Sequence, residues 1–233
     1  MNHKVQNYVI AGIDEAGRGP LVGDMFIALV AIEKQNLQIL ENLGVKDSKK
    51  LSKNRREQLF FPAISFSDLV ILHRIPPNQI DEYNINELEM VAITEMIKKA
   101  LQRIPIQEIY IDAFSNPTRI TKRLNNVAKN VKLHAEFNAD NKYIVVAVAS
   151  IIAKVLRDKH IDQLKNIYGD LGSGYPSDAK TIEWIKGYYE KYRVLPPIVR
   201  KSWKTLERIL NIKTELKKNK TLLKYLGSNS KMK

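Results

Sequence analysis

The chain has 233 residues, of which 44% are apolar, and no cysteine. That is enough for one well-packed domain with an extension, or for two small ones. Disulfides, cysteine-held zinc, iron–sulfur clusters and thiol catalysis are excluded, and no apolar run nears the ~20 residues of a membrane helix. The formal net charge of +13 points to a polyanionic partner, with nucleic acid ahead of an acidic membrane. From Arg200 to Lys233, eleven basic residues face only Glu207 and Glu215, so this stretch carries +9 of the total. A nearly balanced body with a basic tail reads either as a catalytic or scaffold domain with an electrostatic grip, or as one with a solvated, lysine-rich terminus. The polar first residues lead straight into a strand pattern with no secretory signal, so a cytoplasmic protein is expected.

In chain order, Tyr8 to Ile13 and Phe26 to Ile32 read as inner strands, joined by a glycine-rich loop from Asp14 to Gly23. Ser52 caps a helix through Leu59, and Asp68 to Ile75 is a strand that Pro76-Pro77 stops. Asn86 to Gln102 reads as a long helix, and Glu108 to Ile111 as a strand ending at Asp112. Asn116-Pro117 opens a helix to about Val127, and Val131 to Phe137 is the next strand. Ile144 to Lys165 is helical, with small residues suited to close packing on a sheet. After a glycine-rich turn, Ser177 restarts a helix to about Tyr192, and from Ser202 onward the chain is helical again. The expected fold is α/β, with a boundary at Pro196-Pro197 that separates residues 1–195 from a basic helical extension, 196–233.

Asp14-Glu15 stands where an apolar strand ends, beside a Gly17-Arg18-Gly19 turn. Alone, such a pair is an ordinary acidic turn. Asp112 ends a second strand, however, and if the two strands lie parallel and adjacent their acids meet at one sheet edge. Asp140 adds a fourth acid from a loop. With neither cysteine nor clustered histidine, the ligand set is oxygen only, which suits Mg²⁺ or Mn²⁺ and a two-metal phosphodiester site.

Six blocks in order complete the pattern: Asp14-Glu15-Ala16-Gly17-Arg18-Gly19-Pro20, Asp47-Ser48-Lys49-Lys50-Leu51-Ser52, Ile111-Asp112-Ala113, Ala139-Asp140, Ala149-Ser150-Ile151-Ile152-Ala153-Lys154-Val155, and Gly172-Ser173-Gly174-Tyr175-Pro176-Ser177-Asp178. Together they resemble type 2 ribonuclease H (ribonuclease HII), and the last block with Ser202-Trp203-Lys204-Thr205 is most similar to its archaeal branch. The resemblance implies a ribonuclease H-like mixed sheet flanked by helices. It implies an endoribonuclease that hydrolyses the RNA strand of RNA–DNA hybrids and cuts 5′ of single ribonucleotides in duplex DNA, leaving 3′-hydroxyl and 5′-phosphate ends. Asp14, Glu15, Asp112 and Asp140 take the catalytic positions and would hold two divalent cations, Mg²⁺ or Mn²⁺. Gly17, Arg18, Gly19 and Tyr175 fall on the family's sugar-reading elements, and Lys49, Ser150 and Lys154 are assigned to phosphate contacts. A monomer is expected, and a sliding clamp is left open as a partner, with Tyr225 and Leu226 as the candidate segment. Two departures stand out. Asp24 replaces a frequent proline, and Phe137-Asn138 replaces a frequent His-Lys.

A catalytically silent duplex binder would also fit the charge, but four intact acids facing phosphate would hurt it. A junction resolvase would fit the acids, whereas the Gly-Arg-Gly and Gly-Tyr-Pro elements favour ribonucleotide recognition. No Gly-x-x-x-x-Gly-Lys-Ser/Thr is present to support an NTPase.

Overall fold

The computed structural model describes residues 8–46 and 51–212. Its strands are β1 (Val9–Ala16), β2 (Met25–Glu33), β3 (Leu69–Ile75), β4 (Glu108–Asp112) and β5 (Lys132–Glu136). Its helices are α1 (Leu37–Asn42), α2 (Lys53–Ser65), α3 (Pro77–Glu82), α4 (Ile85–Leu101), α5 (Pro117–Leu124), α6 (Ile144–Tyr168), α7 (Ala179–Tyr192) and α8 (Lys204–Leu210). The strands form one mixed sheet in the order β3-β2-β1-β4-β5, flanked by helices, as expected. Among the described residues no helix is long and apolar enough to cross a membrane.

The chain divides into two compact units. The first contains the described residues of Met1–Ala16, Phe26–His73 and Met90–Leu156. Within it, β1 pairs antiparallel with β2 and parallel with β4, and β4 pairs parallel with β5. Ile10, Ala16, Ala28, Val30 and Ile32 lie on one face of the sheet and pack in a core with Val145, Val148, Ile152 and Val155 from α6. Each fully buried valine or isoleucine among them contributes about 1.5–3 kcal/mol. Gly12 lies on that same face, where a Cβ would come within 2.3 Å of the Val145 carbonyl oxygen. Only glycine lets α6 settle so close on β1. On the opposite face Ala11, Ile13 and Leu29 are buried too, which explains why these strands read as unbroken apolar runs.

The second unit contains the described residues of Gly17–Met25, Arg74–Glu89 and Arg157–Lys233. Leu21, Val22, Ile161, Leu164, Leu171, Ile185, Val199 and Leu206 form its core. Asp178 caps α7 by accepting from the backbone N–H of Lys180 (3.0 Å) and also holds the N–H of Ser173 (2.6 Å). Thr181 Oγ1 accepts from Gly174 N–H and donates to the Leu171 carbonyl, both at 2.9 Å. The turn that carries Tyr175 is therefore pinned to the first turn of the following helix.

Several boundaries differ from those expected. The strand β1 runs on to Ala16, because its ladder with β2 continues as far as Ala16↔Phe26. The helix that Ser52 caps extends to Ser65, with Pro62 inside it. Pro76-Pro77 ends β3, yet Pro77 also opens α3, since its missing N–H costs nothing at a helix start. Asp178, rather than Ser177, caps α7. The expected C-terminal helix is described only as Lys204–Leu210. Leu216, Leu222 and Leu223 lie outside the described residues.

Candidate active site

In the first unit, parallel pairing sets Ile13 beside Ile111, so the next residues, Asp14 and Asp112, sit side by side near the C-terminal ends of β1 and β4. After β5 the chain turns through Asn138, whose left-handed backbone (φ 57°, ψ 37°) suits asparagine better than most residues. The Ala139 N–H that follows donates to Asp112 Oδ1 at 3.0 Å, which ties this turn to β4. Asp140, almost fully buried, completes the group. Asp14, Asp112 and Asp140 each bring a carboxylate oxygen within 4.8 Å of the others. Among the described residues no other cluster of potential metal ligands is found. Glu15 stands outside this group of three, although its charge acts on Asp14.

The electrostatics of the cluster are strained. Burial, and then the charges of Glu15 and Asp112, push the Asp14 carboxyl well above the ordinary carboxylate range. A hydrogen bond from Ser150 and the nearby Lys154 cation oppose that shift. Ser150 and Lys154 lie four residues apart on α6, hence on one helical face. Lys154 Nζ is 4.0 Å from Asp140 Oδ2. Ser150 is fully buried, and its hydroxyl hydrogen-bonds Asp14. An oxygen-only set of three crowded acids fits a hard divalent cation, which would relieve the repulsion that burial imposes.

The second unit brings the sugar-reading candidates together. Gly17 has φ +84°, and a Cβ there would come within 2.8 Å of the Asp24 carbonyl oxygen. A Cβ on Gly19 would lie 3.9 Å from Tyr175 Cε1, so the Gly17-Arg18-Gly19 turn abuts the tyrosine ring. The Arg157 guanidinium lies 4.7 Å from the centre of that ring and also donates to the Ser173 carbonyl. The Arg18 side chain is bound to Glu89, which is fully buried, and to Asn86. Asp24, the departure from proline, is buried between Arg74 and His160, with His160 Nε2 3.3 Å away. Burial alone would raise its carboxyl; hydrogen bonds from His160 and Arg74 outweigh that and hold it low. Lys49 lies outside the described residues.

One residue stands elsewhere than its sequence context suggests. Counting charges assigns Arg200 to the solvated basic tail, yet its side chain is fully buried in the second unit. A charge count is blind to burial. The surrounding Ile198-Val199 and Trp203 were the only local sign of an interior position.

Comparison with known proteins finds similarity over most of the chain. The family model for ribonuclease HII matches residues 11–206. The ribonuclease HII of Sulfurisphaera tokodaii is 44% identical over 201 residues, covering 86% of this chain and 95% of the relative. That of Pyrococcus horikoshii is 41% identical over 222 residues, covering 93% and 99%. Among solved structures, ribonuclease H2 from Pyrococcus horikoshii superposes with a TM-score of 0.78 at 43% identity, covering 87% of this chain and 97% of that one. The PCNA:RNase HII complex from Archaeoglobus fulgidus gives 0.76 at 38% identity, covering 84% and 95%.

Proposed function

The chain belongs to the ribonuclease HII family, and from that premise we propose that it cuts on the 5′ side of single ribonucleotides in duplex DNA, leaving 3′-hydroxyl and 5′-phosphate ends. As a member of that family it is a divalent-metal-dependent endoribonuclease acting on RNA–DNA hybrids. The observation that carries the hydrolytic chemistry of this reading is the convergence of Asp14, Asp112 and Asp140, whose carboxylate oxygens lie within 4.8 Å of one another.

In this reading Asp14, Asp112 and Asp140, with Glu15, would hold two cations, Mg²⁺ or Mn²⁺. When bound, these would supply Lewis-acid stabilisation of the charge that builds up on the phosphoryl oxygens and would acidify the attacking water. Attack by water, and not by the neighbouring 2′-hydroxyl, leaves the 5′-phosphate. Ser150 holds the Asp14 carboxylate in place, and Lys154 balances charge beside Asp140. The Gly17-Arg18-Gly19 backbone meets the 2′-hydroxyl, the group that distinguishes RNA from DNA, and Tyr175 packs on the adjoining sugar. Lys49 contacts phosphate. The chain works as a monomer in the cytoplasm. A sliding clamp as partner finds support in the Archaeoglobus fulgidus relative, whose solved structure is a complex with PCNA; Tyr225 and Leu226 lie outside the described residues.

The test is a DNA duplex with one internal ribonucleotide, incubated with the protein in Mg²⁺, Mn²⁺ or EDTA, with end-mapping of the products. A single nick 5′ of the ribonucleotide, with a 3′-hydroxyl and only in metal, is the expected result. A 2′,3′-cyclic phosphate or metal-independent cutting would refute the mechanism.

The basic extension, 196–233, grips duplex without reading its sequence in this proposal. Residues after Leu210 include seven lysines against Glu215 alone. Deleting them is expected to weaken binding to hybrid and to plain DNA duplex alike. It should also flatten the slope of log K against log salt by roughly 0.9 for each phosphate no longer neutralised. Unchanged affinity and slope at low salt would remove the tail from substrate binding.

A further inference from the structure

Resting on the assignment of the Gly17-Arg18-Gly19 turn to the ribose, we propose that Arg200 is the positioning residue of that turn, aiming its backbone N–H groups at the 2′-hydroxyl from within the protein. A guanidinium has five N–H donors and no acceptor, and once buried it must find acceptors for them. Arg200 is fully buried and finds its acceptors within one short segment. Nη2 donates to the Gly17 carbonyl at 2.6 Å and Nη1 to the Arg18 carbonyl at 2.9 Å. Nε and Nη2 both donate to the Gly23 carbonyl, at 3.0 and 2.8 Å. The backbone N–H of Arg200 adds a bond to the Leu21 carbonyl at 2.8 Å.

This pattern does more than fill an interior. The peptides are all trans, so in each plane the N–H points opposite to the C=O. Drawing the carbonyls of Gly17 and Arg18 onto the guanidinium therefore turns the N–H groups of Arg18 and Gly19 the other way. Gly19 is also the residue that abuts the Tyr175 ring. A cation on each carbonyl further polarises its peptide and strengthens the N–H as a donor. Burial lowers the guanidinium's pKa to about 10, which leaves it charged at neutral pH. A glycine turn free of this fork would sample other φ/ψ values and present its donors only part of the time. The role is positioning: Arg200 acts on substrate only through the backbone it holds.

A merely structural arginine and a positioning one differ in a measurable way. The full-length protein is assayed for kcat and KM on a duplex with one ribonucleotide, and for Ki of the same duplex made wholly of DNA as a competitor. Arg200→Gln is expected to lower kcat/KM by about 10- to 100-fold while Ki stays within about twofold, because phosphate contacts remain. Arg200→Lys keeps the buried cation but lacks the fork, so an intermediate loss is expected. If Arg200→Gln does not fold, Arg200→Lys carries the same comparison. Unchanged kcat/KM in a folded variant, or a Ki that weakens in parallel with it, would overturn the inference. The underlying ribose reading fails separately, and takes the inference with it, if the wild-type protein does not prefer the ribonucleotide-containing duplex over the plain one.

Discussion

Replacing Asp14 by asparagine is expected to lower cleavage by at least about 10³-fold while making the metal-free protein more stable. Both effects have one cause. Asp14 is 4% exposed and lies beside Asp112 and Asp140. Burial, then Glu15 and Asp112, raise its pKa well above the usual value. A raised folded-state pKa gives stability that is present below the unfolded value, near 3.8, and is lost as pH rises through the folded one. Without metal, the charge that burial disfavours therefore strains the fold as pH rises, and a divalent cation relieves that strain. Asparagine keeps an acceptor for Ser150 but carries no charge, so the EDTA-treated variant should gain about 1–3 kcal/mol. For a chain of this size that corresponds to a Tm higher by roughly 3–10 °C at pH 7.5, shrinking as the pH falls toward 4. The Mg²⁺-dependent rise in Tm of the wild-type protein should be largely lost in the variant. Asp112→Asn should behave similarly. Near-normal turnover in Mg²⁺, or a variant less stable than wild type in EDTA, would sink the assignment of Asp14 as a metal ligand.

How far the sequence could be read depended on what each residue's role is made of. The convergence of Asp14 and Asp112 was legible because two apolar runs each ended at an acid, and parallel neighbours place such ends together. Asp140 followed from its matched block and not from spacing, since its approach depends on the left-handed Asn138 turn that no periodicity announces. Gly12 falls within the apolar run from Tyr8 to Ile13, where nothing local sets it apart. Its reason, the Val145 carbonyl that a Cβ would strike, lies more than 130 positions away and belongs to tertiary packing. Helix α3 was hidden by Pro76-Pro77, because a proline that stops one element can start the next. Arg200 was the least legible of all. Local composition put it among lysines that solvent would cover, and only the carbonyls of Gly17, Arg18 and Gly23 reveal why an arginine is inside. Long-range hydrogen bonding is what the linear pattern leaves out.

Tyr175→Ala is expected to separate the two substrates proposed for this enzyme. Incision at an isolated ribonucleotide should fall by roughly 10- to 100-fold, the rate equivalent of the ~1–3 kcal/mol that a stacked ring contributes. Cleavage within a long RNA–DNA hybrid should fall less. The ring is 36% exposed, with the Arg157 guanidinium 4.7 Å from its centre and Gly19 against its edge. It is held but still open to a sugar. An isolated ribonucleotide offers one 2′-hydroxyl to the glycine turn and is followed at once by a deoxyribose. A ring packed on that deoxyribose senses the missing hydroxyl and, in the proposed reading, steadies the scissile phosphate in the transition state. A long hybrid presents many registers, so poorer positioning in one is offset by productive binding in another. Arg157 fixes the ring from behind, so Tyr175→Phe, which keeps the aromatic face, should retain most of the single-ribonucleotide activity. Equal losses on both substrates for Tyr175→Ala would assign the tyrosine to the general site or to the fold. A variant that incises like wild type would move the sensing of the junction to another part of the chain.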